Sequence, residues 1–140
     1  MAVSDHKRWL RSVILFGTIY LVVGVTFGAF AGWSTSKQMG IMWRRAAWLV
    51  SAVAFVVHIG HEQFRVRNSP SSTALHASLA AALGAFGLAV AANVHALREV
   101  SGNQRLLALA LVLWPIITVV PAFVVALALA VGMTKIRRKG

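Results

Sequence analysis

Four apolar runs dominate this chain: Ser12 to Gly32, Ala46 to about Gly60, Thr73 to Leu97 and Leu106 to about Met133. A helix needs about 20 residues to cross a hydrocarbon core, and each run meets or approaches that length. Nothing alternates as barrel strands would, and a backbone in lipid must satisfy its polar groups within one segment, so the runs are read as helices. The connections Gly32-Trp33-Ser34-Thr35-Ser36, Asn68-Ser69-Pro70-Ser71-Ser72 and Ser101-Gly102-Asn103 are short and rich in turn residues. Neighbouring helices are therefore antiparallel. The predicted fold is all-α: a polytopic membrane protein whose four transmembrane helices, at about 10–32, 43–62, 72–97 and 105–134, form one antiparallel bundle over residues 1–140.

Composition agrees with a lipid environment. The chain is 59% hydrophobic and only 12% charged, against roughly 25% charged in soluble domains. Fourteen Lys and Arg face three acids, and they gather between the runs and at the ends. That placement suits anionic lipid headgroups rather than a nucleic-acid groove. The absence of cysteine excludes disulfides, thiolate ligands, a cysteine nucleophile and covalently attached c-type haem.

Ala29-Phe30-Ala31 resembles a signal-peptide cleavage site, but the apolar run before it is longer than the usual ~7 to 15 residues, which favours a retained anchor helix. Orientation follows from the basic residues. With both termini cytoplasmic, the inner side carries nine, Lys7, Arg8, Arg11, Arg65, Arg67, Lys135, Arg137, Arg138 and Lys139. The outer side carries five, Lys37, Arg44, Arg45, Arg98 and Arg105. The positive-inside rule favours cytoplasmic ends, and so a cell membrane, the inner membrane in a bacterium. Trp9, Trp33 and Trp43 fall near predicted membrane surfaces, where they anchor.

Small residues mark packing faces. Gly17, Gly24, Gly28 and Gly32 stack nearly in line on the first helix, and Ala77, Ala80, Ala81, Gly84, Gly87 and Ala91 smooth the third. Such faces let backbones approach where lipid gives no hydrophobic drive. The partner is another helix of the chain or a second copy, so a homo-oligomer is one expectation. Pro115 and Pro121 interrupt the fourth run, as a kink or, more sharply, as a hinge or pocket near Trp114 and Thr118.

The end of the second run, Val56-Val57-His58-Ile59-Gly60-His61-Glu62, concentrates chemistry. Only 16 residues separate Arg45 from Glu62, about 24 Å of helix, so this pass is predicted to be short and to hold a polar group low in the apolar layer. Arg44, Ser51 and His58 are seven apart, with Glu62 four further on, in one polar stripe. His76 falls in the first turn of the next helix, capped by Ser71, Ser72 or Thr73, at the depth of His58 and on the face of Ala80, Gly84 and Gly87. His58, His61, Glu62 and His76 are therefore expected to converge between helices two and three.

Imidazoles with a carboxylate can bind a divalent transition metal, for which His58, His61, Glu62 and His76 are the candidates. His58 and His76 facing each other can ligate haem iron. Alternatively Glu62 carries a proton with a histidine as relay. The plainer alternative has His58 and His76 bonding across helices or to interfacial water, with Glu62 paired to Arg65 or Arg67. His-x-x-His-Glu is not the zincin order, and His95 and His6 lie elsewhere. Asp5 and Glu99 supply no second buried carboxylate, and there is neither a phosphate loop nor a nucleophile elbow. The terminal Lys135-Ile136-Arg137-Arg138-Lys139 cluster holds the last helix at an anionic leaflet.

Three function classes follow. The first is a non-enzymatic integral membrane protein, an oligomeric small-solute passage or a subunit of a larger membrane complex. The second is a haem- or metal-binding membrane protein using His58 and His76. The third is a small membrane enzyme on a lipid-soluble substrate, using Glu62 and a histidine.

Overall fold

A computed structural model describes residues 2–99 and 103–137, with side chains from Arg8 to Arg98 and from Asn103 to Ile136. Helix α1 runs Ala2–Gly32 and α2 Lys37–Gly60; α2 passes directly into a π-helical turn, His61–Val66. Helices α3, Pro70–Glu99, and α4, Gln104–Arg137, follow. No strand occurs among the described residues. Four helical spans are long and apolar enough to cross a membrane: Arg8–Gly32, Lys37–Val66, Pro70–Arg98 and Gln104–Ile136. The side chains of Asp5, His6, Lys7 and Glu99, the turn residues Ser101 and Gly102, and the chain beyond Ile136 apart from the backbone of Arg137 lie outside the described residues.

The helix starts correct the sequence boundaries. Helix α2 begins at Lys37 rather than near 43, because the Ser36 side chain accepts the Met39 N–H at 3.2 Å and caps it. Lys37 and Gln38 are exposed polar residues of the first turn, which hydropathy counts against a helix. The second span thus has 30 residues, and the expected shortfall disappears. Helix α3 is capped by Ser69, not by Ser71, Ser72 or Thr73: its Oγ accepts the Ser72 N–H at 3.2 Å. Pro70 takes the first helical position, where its missing N–H leaves nothing unsatisfied.

Packing gives the bundle its order. Helices α1 and α3 run parallel, with Trp9 beside His76, Gly17 beside Leu83 and Gly24 beside Leu88. At Gly84 a Cβ would stand 2.6 Å from Tyr20 Cβ and 3.3 Å from the Gly17 carbonyl, so only glycine admits this approach. Gly87 meets Leu21, and Ala80 is fully buried with Val13, Phe16 and Tyr20. Gly28 and Gly32, by contrast, have nothing within 4 Å of a Cβ, so the α1 glycine repeat packs within the chain at Gly24 and not beyond. Past that point α1 turns its aromatic residues to α2, with Phe27 and Phe30 at 5.9 and 5.0 Å from Trp43.

Helix α4 lies antiparallel to α3, tied at one end by Asn93, whose Nδ2 donates to the Leu107 carbonyl at 2.8 Å. At the other end Ala74, Ala77, Ala126 and Ala130 are fully buried around Ile59. Both prolines sit within the unbroken α4. Helix α2 is the outlying member, since His58 and Ile59 are its only buried residues. All four helices therefore meet at the end that carries His58.

Candidate functional site

The site begins with the way α2 ends. A π turn closes its bonds one residue later than an α turn. Two adjacent residues, Glu62 and Gln63, both point inward, at 1% and 2% exposure. Arg67 then takes a left-handed conformation, φ 61° and ψ 35°, and donates its N–H to the Glu62 carbonyl. A non-glycine residue there is strained by roughly 1–2 kcal/mol. The reversal places Asn68, whose backbone N–H donates to the same carbonyl at 3.2 Å and whose side-chain amide donates to Glu62 Oε2.

Glu62 is the hub. Its Oε2 lies 3.0 Å from His76 Nδ1, and its Oε1 lies 3.9 Å from His58 Nε2. His58 is fully buried, with Nε2 3.1 Å from Ser12 Oγ. Each imidazole is covered by an aromatic ring of α1: Phe16 stacks on His58 at 3.9 Å between centroids, and Trp9 on His76 at 5.4 Å. Beside this group Gln63 Nε2 donates to Thr73 Oγ1 at 2.9 Å, and Thr134 Oγ1 donates to Gln63 Oε1 at 3.2 Å. Ser12 of α1, His58 of α2, Thr73 and His76 of α3 and Thr134 of α4 thus enter one buried polar junction around the π turn.

Two buried polar atoms here and just inside have no hydrogen-bond partner, His58 Nδ1 and Tyr20 Oη. Around the same end stand exposed Arg8, Arg11, Arg65, Arg67 and Lys135. Glu62 is the one acidic side chain among the described residues, and it lies beneath that cationic rim. Its partners are His76, Asn68, Ser12 and, at 3.9 Å, His58; no ion pair to Arg65 or Arg67 is formed.

The expected convergence is therefore partial. Glu62 joins His58 and His76, whereas His61 is exposed at the start of the π turn. His95 is also exposed, on the far part of α3. Among the described residues no three His, Asp or Glu side chains are grouped so as to hold a metal ion. Glu62 faces one nitrogen of each imidazole, His58 Nε2 and His76 Nδ1. The stripe through Arg44, Ser51, His58 and Glu62 buries only its last two members, because α2 approaches the bundle only there.

Sequence reasoning overlooked Ser12, Gln63, Asn68, Thr73 and Thr134. Ser12 and Thr134 sit where α1 and α4 begin and end as apolar runs, and Gln63 and Asn68 flank a π turn that no periodicity announces. A signal was present in Thr73, three residues before His76 on the same helix face.

Chemically, a carboxylate within hydrogen-bond reach of an imidazole can hold and exchange a proton. No family model matches the chain, and neither a curated protein nor a solved structure matches it.

Proposed function

We propose that this chain is a non-enzymatic multi-pass membrane protein that passes protons, or a small solute accompanied by a proton, with Glu62 as the protonatable station. The observation that carries this reading is Glu62 itself: a carboxylate 1% exposed, inside a span able to cross a membrane, bonded to His76 and adjacent to His58. Ionisable side chains at such positions are expensive, and they mark pathways or pairs. His76, 14% exposed, is the member through which the group reaches water. The cationic surplus at this end supports a cytoplasmic location for it, against anionic headgroups.

The test is proton flux into vesicles under a potassium-diffusion potential, read with an entrapped pH dye. Wild-type vesicles are expected to acidify faster than protein-free ones, and Glu62→Gln to return the rate to the protein-free value. Equal rates for wild type and empty vesicles overturn the reading.

A second reading, a subunit of a larger membrane complex or a passage assembled from several copies, is favoured by α2. Trp48, Leu49 and Val53 are 80%, 69% and 64% exposed on a helix that buries only two residues. Native mass measurement in mild detergent tests it: a mass of one chain, with nothing co-purifying, removes it.

A further inference from the structure

At the end of the bundle opposite Glu62, the turn between α1 and α2 holds a cavity of about 340 Å³, within the range of small-ligand sites. Its wall brings Lys37 and Arg44 together with the turn residues Ser34, Thr35 and Ser36, and contains no acidic side chain.

The sequence builds this wall by spacing. Lys37 and Arg44 are seven apart, so they project from one face of α2, about 10 Å from each other along its axis. Gly40 lies between them and lines the cavity. A Cβ there would stand 3.4 Å from the Ala31 carbonyl, so the missing side chain lets α1 and α2 approach and leaves the space between the two cations open. Ser34 donates its hydroxyl to the Phe30 carbonyl, whereas Ser36 accepts the Met39 N–H and keeps its own O–H as a donor. Thr35 and Ser36 are thus the hydroxyls that can donate into the cavity.

Two cations and two hydroxyl donors around one space, with no acid among them, match a phosphate, which guanidinium and ammonium groups bind by charge-assisted hydrogen bonds. Position selects the source of that phosphate. The 30-residue span Lys37–Val66 is about 45 Å long against a hydrocarbon core of about 30 Å, so its first turns reach the headgroup layer. Four residues beyond Arg44 on the same face, Trp48 is 80% exposed and offers apolar surface to an acyl chain.

We propose that this cavity seats the phosphate of an anionic glycerophospholipid, held by Lys37 and Arg44 with Thr35 and Ser36 donating. A headgroup uncharged beyond its phosphate is favoured over choline, whose ammonium would meet the same two cations. The site rests on the multi-pass membrane part of the proposed function and is independent of proton passage.

The experiment places the full chain in nanodiscs of phosphatidylcholine containing phosphatidylglycerol with a diazirine in its headgroup, and maps the adducts formed on irradiation by peptide mass. Adducts are expected within residues 31–44. Lys37→Gln and Arg44→Gln, both at exposed positions, should each lower their yield about fivefold, the effect of one charge near an anionic surface. Gly40→Leu, which fills the cavity and keeps both charges, should lower it as well, and Arg105→Gln, at the other turn on this side, should leave it unchanged. Adducts confined to other segments, an unchanged yield in both charge variants, or an equal yield from a choline lipid carrying the same diazirine overturns the site. Loss of the adducts in excess inorganic phosphate also overturns it, because the pocket then takes the free ion. A second lipid with the diazirine in its acyl chain separates the two readings: four labelled spans without adducts at 31–44 remove only the site, and no labelled span removes the membrane reading and the site with it.

Discussion

His76 Nδ1 lies 3.0 Å from Glu62 Oε2, and this contact joins the early part of α3 to the end of the α2 span across the turn between them. It turns the direction change of the chain into part of the bundle's polar interior.

Replacing Glu62 by leucine removes the acceptor of both His76 and Asn68 and leaves them unpaired beside buried groups. Interhelical hydrogen bonds in membrane proteins average about 0.6 kcal/mol and reach about 1.7, so a loss of about 1–3 kcal/mol is expected. Reversible unfolding in detergent mixtures measures it. His76→Phe, which removes one of these bonds, should lose less.

Gly84→Ala places a methyl 2.6 Å from Tyr20 Cβ and 3.3 Å from a backbone carbonyl, neither of which can swing aside. Separation of α1 and α3 and a loss of about 1–3 kcal/mol are expected. Gly28→Ala meets nothing within 4 Å, and should be neutral or gain up to about 1 kcal/mol of helix propensity. The same unfolding assay compares the two. If Gly28→Leu reduces the native mass by whole chains, that face belongs to a contact between copies.

Gln63→Leu severs the link from Thr73 to Thr134. Helix α4 then keeps its alanine contacts with α3 but loses its polar tie to the π turn, at about 1 kcal/mol. Amide hydrogen exchange near Thr134 should accelerate more than exchange near Leu107, where Asn93 still holds α4.

Ser69→Ala removes the oxygen that accepts the Ser72 N–H. The expected loss is about 1 kcal/mol, concentrated in the first turn of α3. A faster exchange rate at the Ser72 amide checks it, and Ser71→Ala should leave that rate unchanged.

Much of the architecture was legible because long apolar segments, each satisfying its own backbone, are a simple code for helices. The meeting of Glu62 with His58 and His76 was also legible, since a short turn forces the end of one helix and the start of the next to one depth. The start of α2 was not, because Lys37, Gln38, Arg44 and Arg45 read as loop by hydropathy while the Ser36 cap, a matter of one oxygen, decides the boundary. His61 was misplaced inward because adjacency to Glu62 does not fix a face: successive helical residues stand about 100° apart, and His61 falls on the exposed side. The Gly24, Gly28 and Gly32 repeat specifies a smooth surface, but spacing alone does not say how far the neighbouring helix accompanies it.

Since the chain has no cysteine, single cysteines can report topology without background. Positions 35 and 69 lie in successive interhelical turns and should react with impermeant reagent from opposite sides of intact cells or inverted vesicles. Position 69 and position 135 should react from the same side, the one expected to face the cytoplasm.

The segment from His61 to Val66 is, in effect, an α-helix holding one surplus residue. Removing a single codon there would let the ladder close with ordinary i to i−4 bonding, with successive residues about 100° apart in place of the smaller step of a π turn. No side chain need be altered in kind for the inward pair to be parted; the length of a six-residue stretch is itself a determinant of what faces inside.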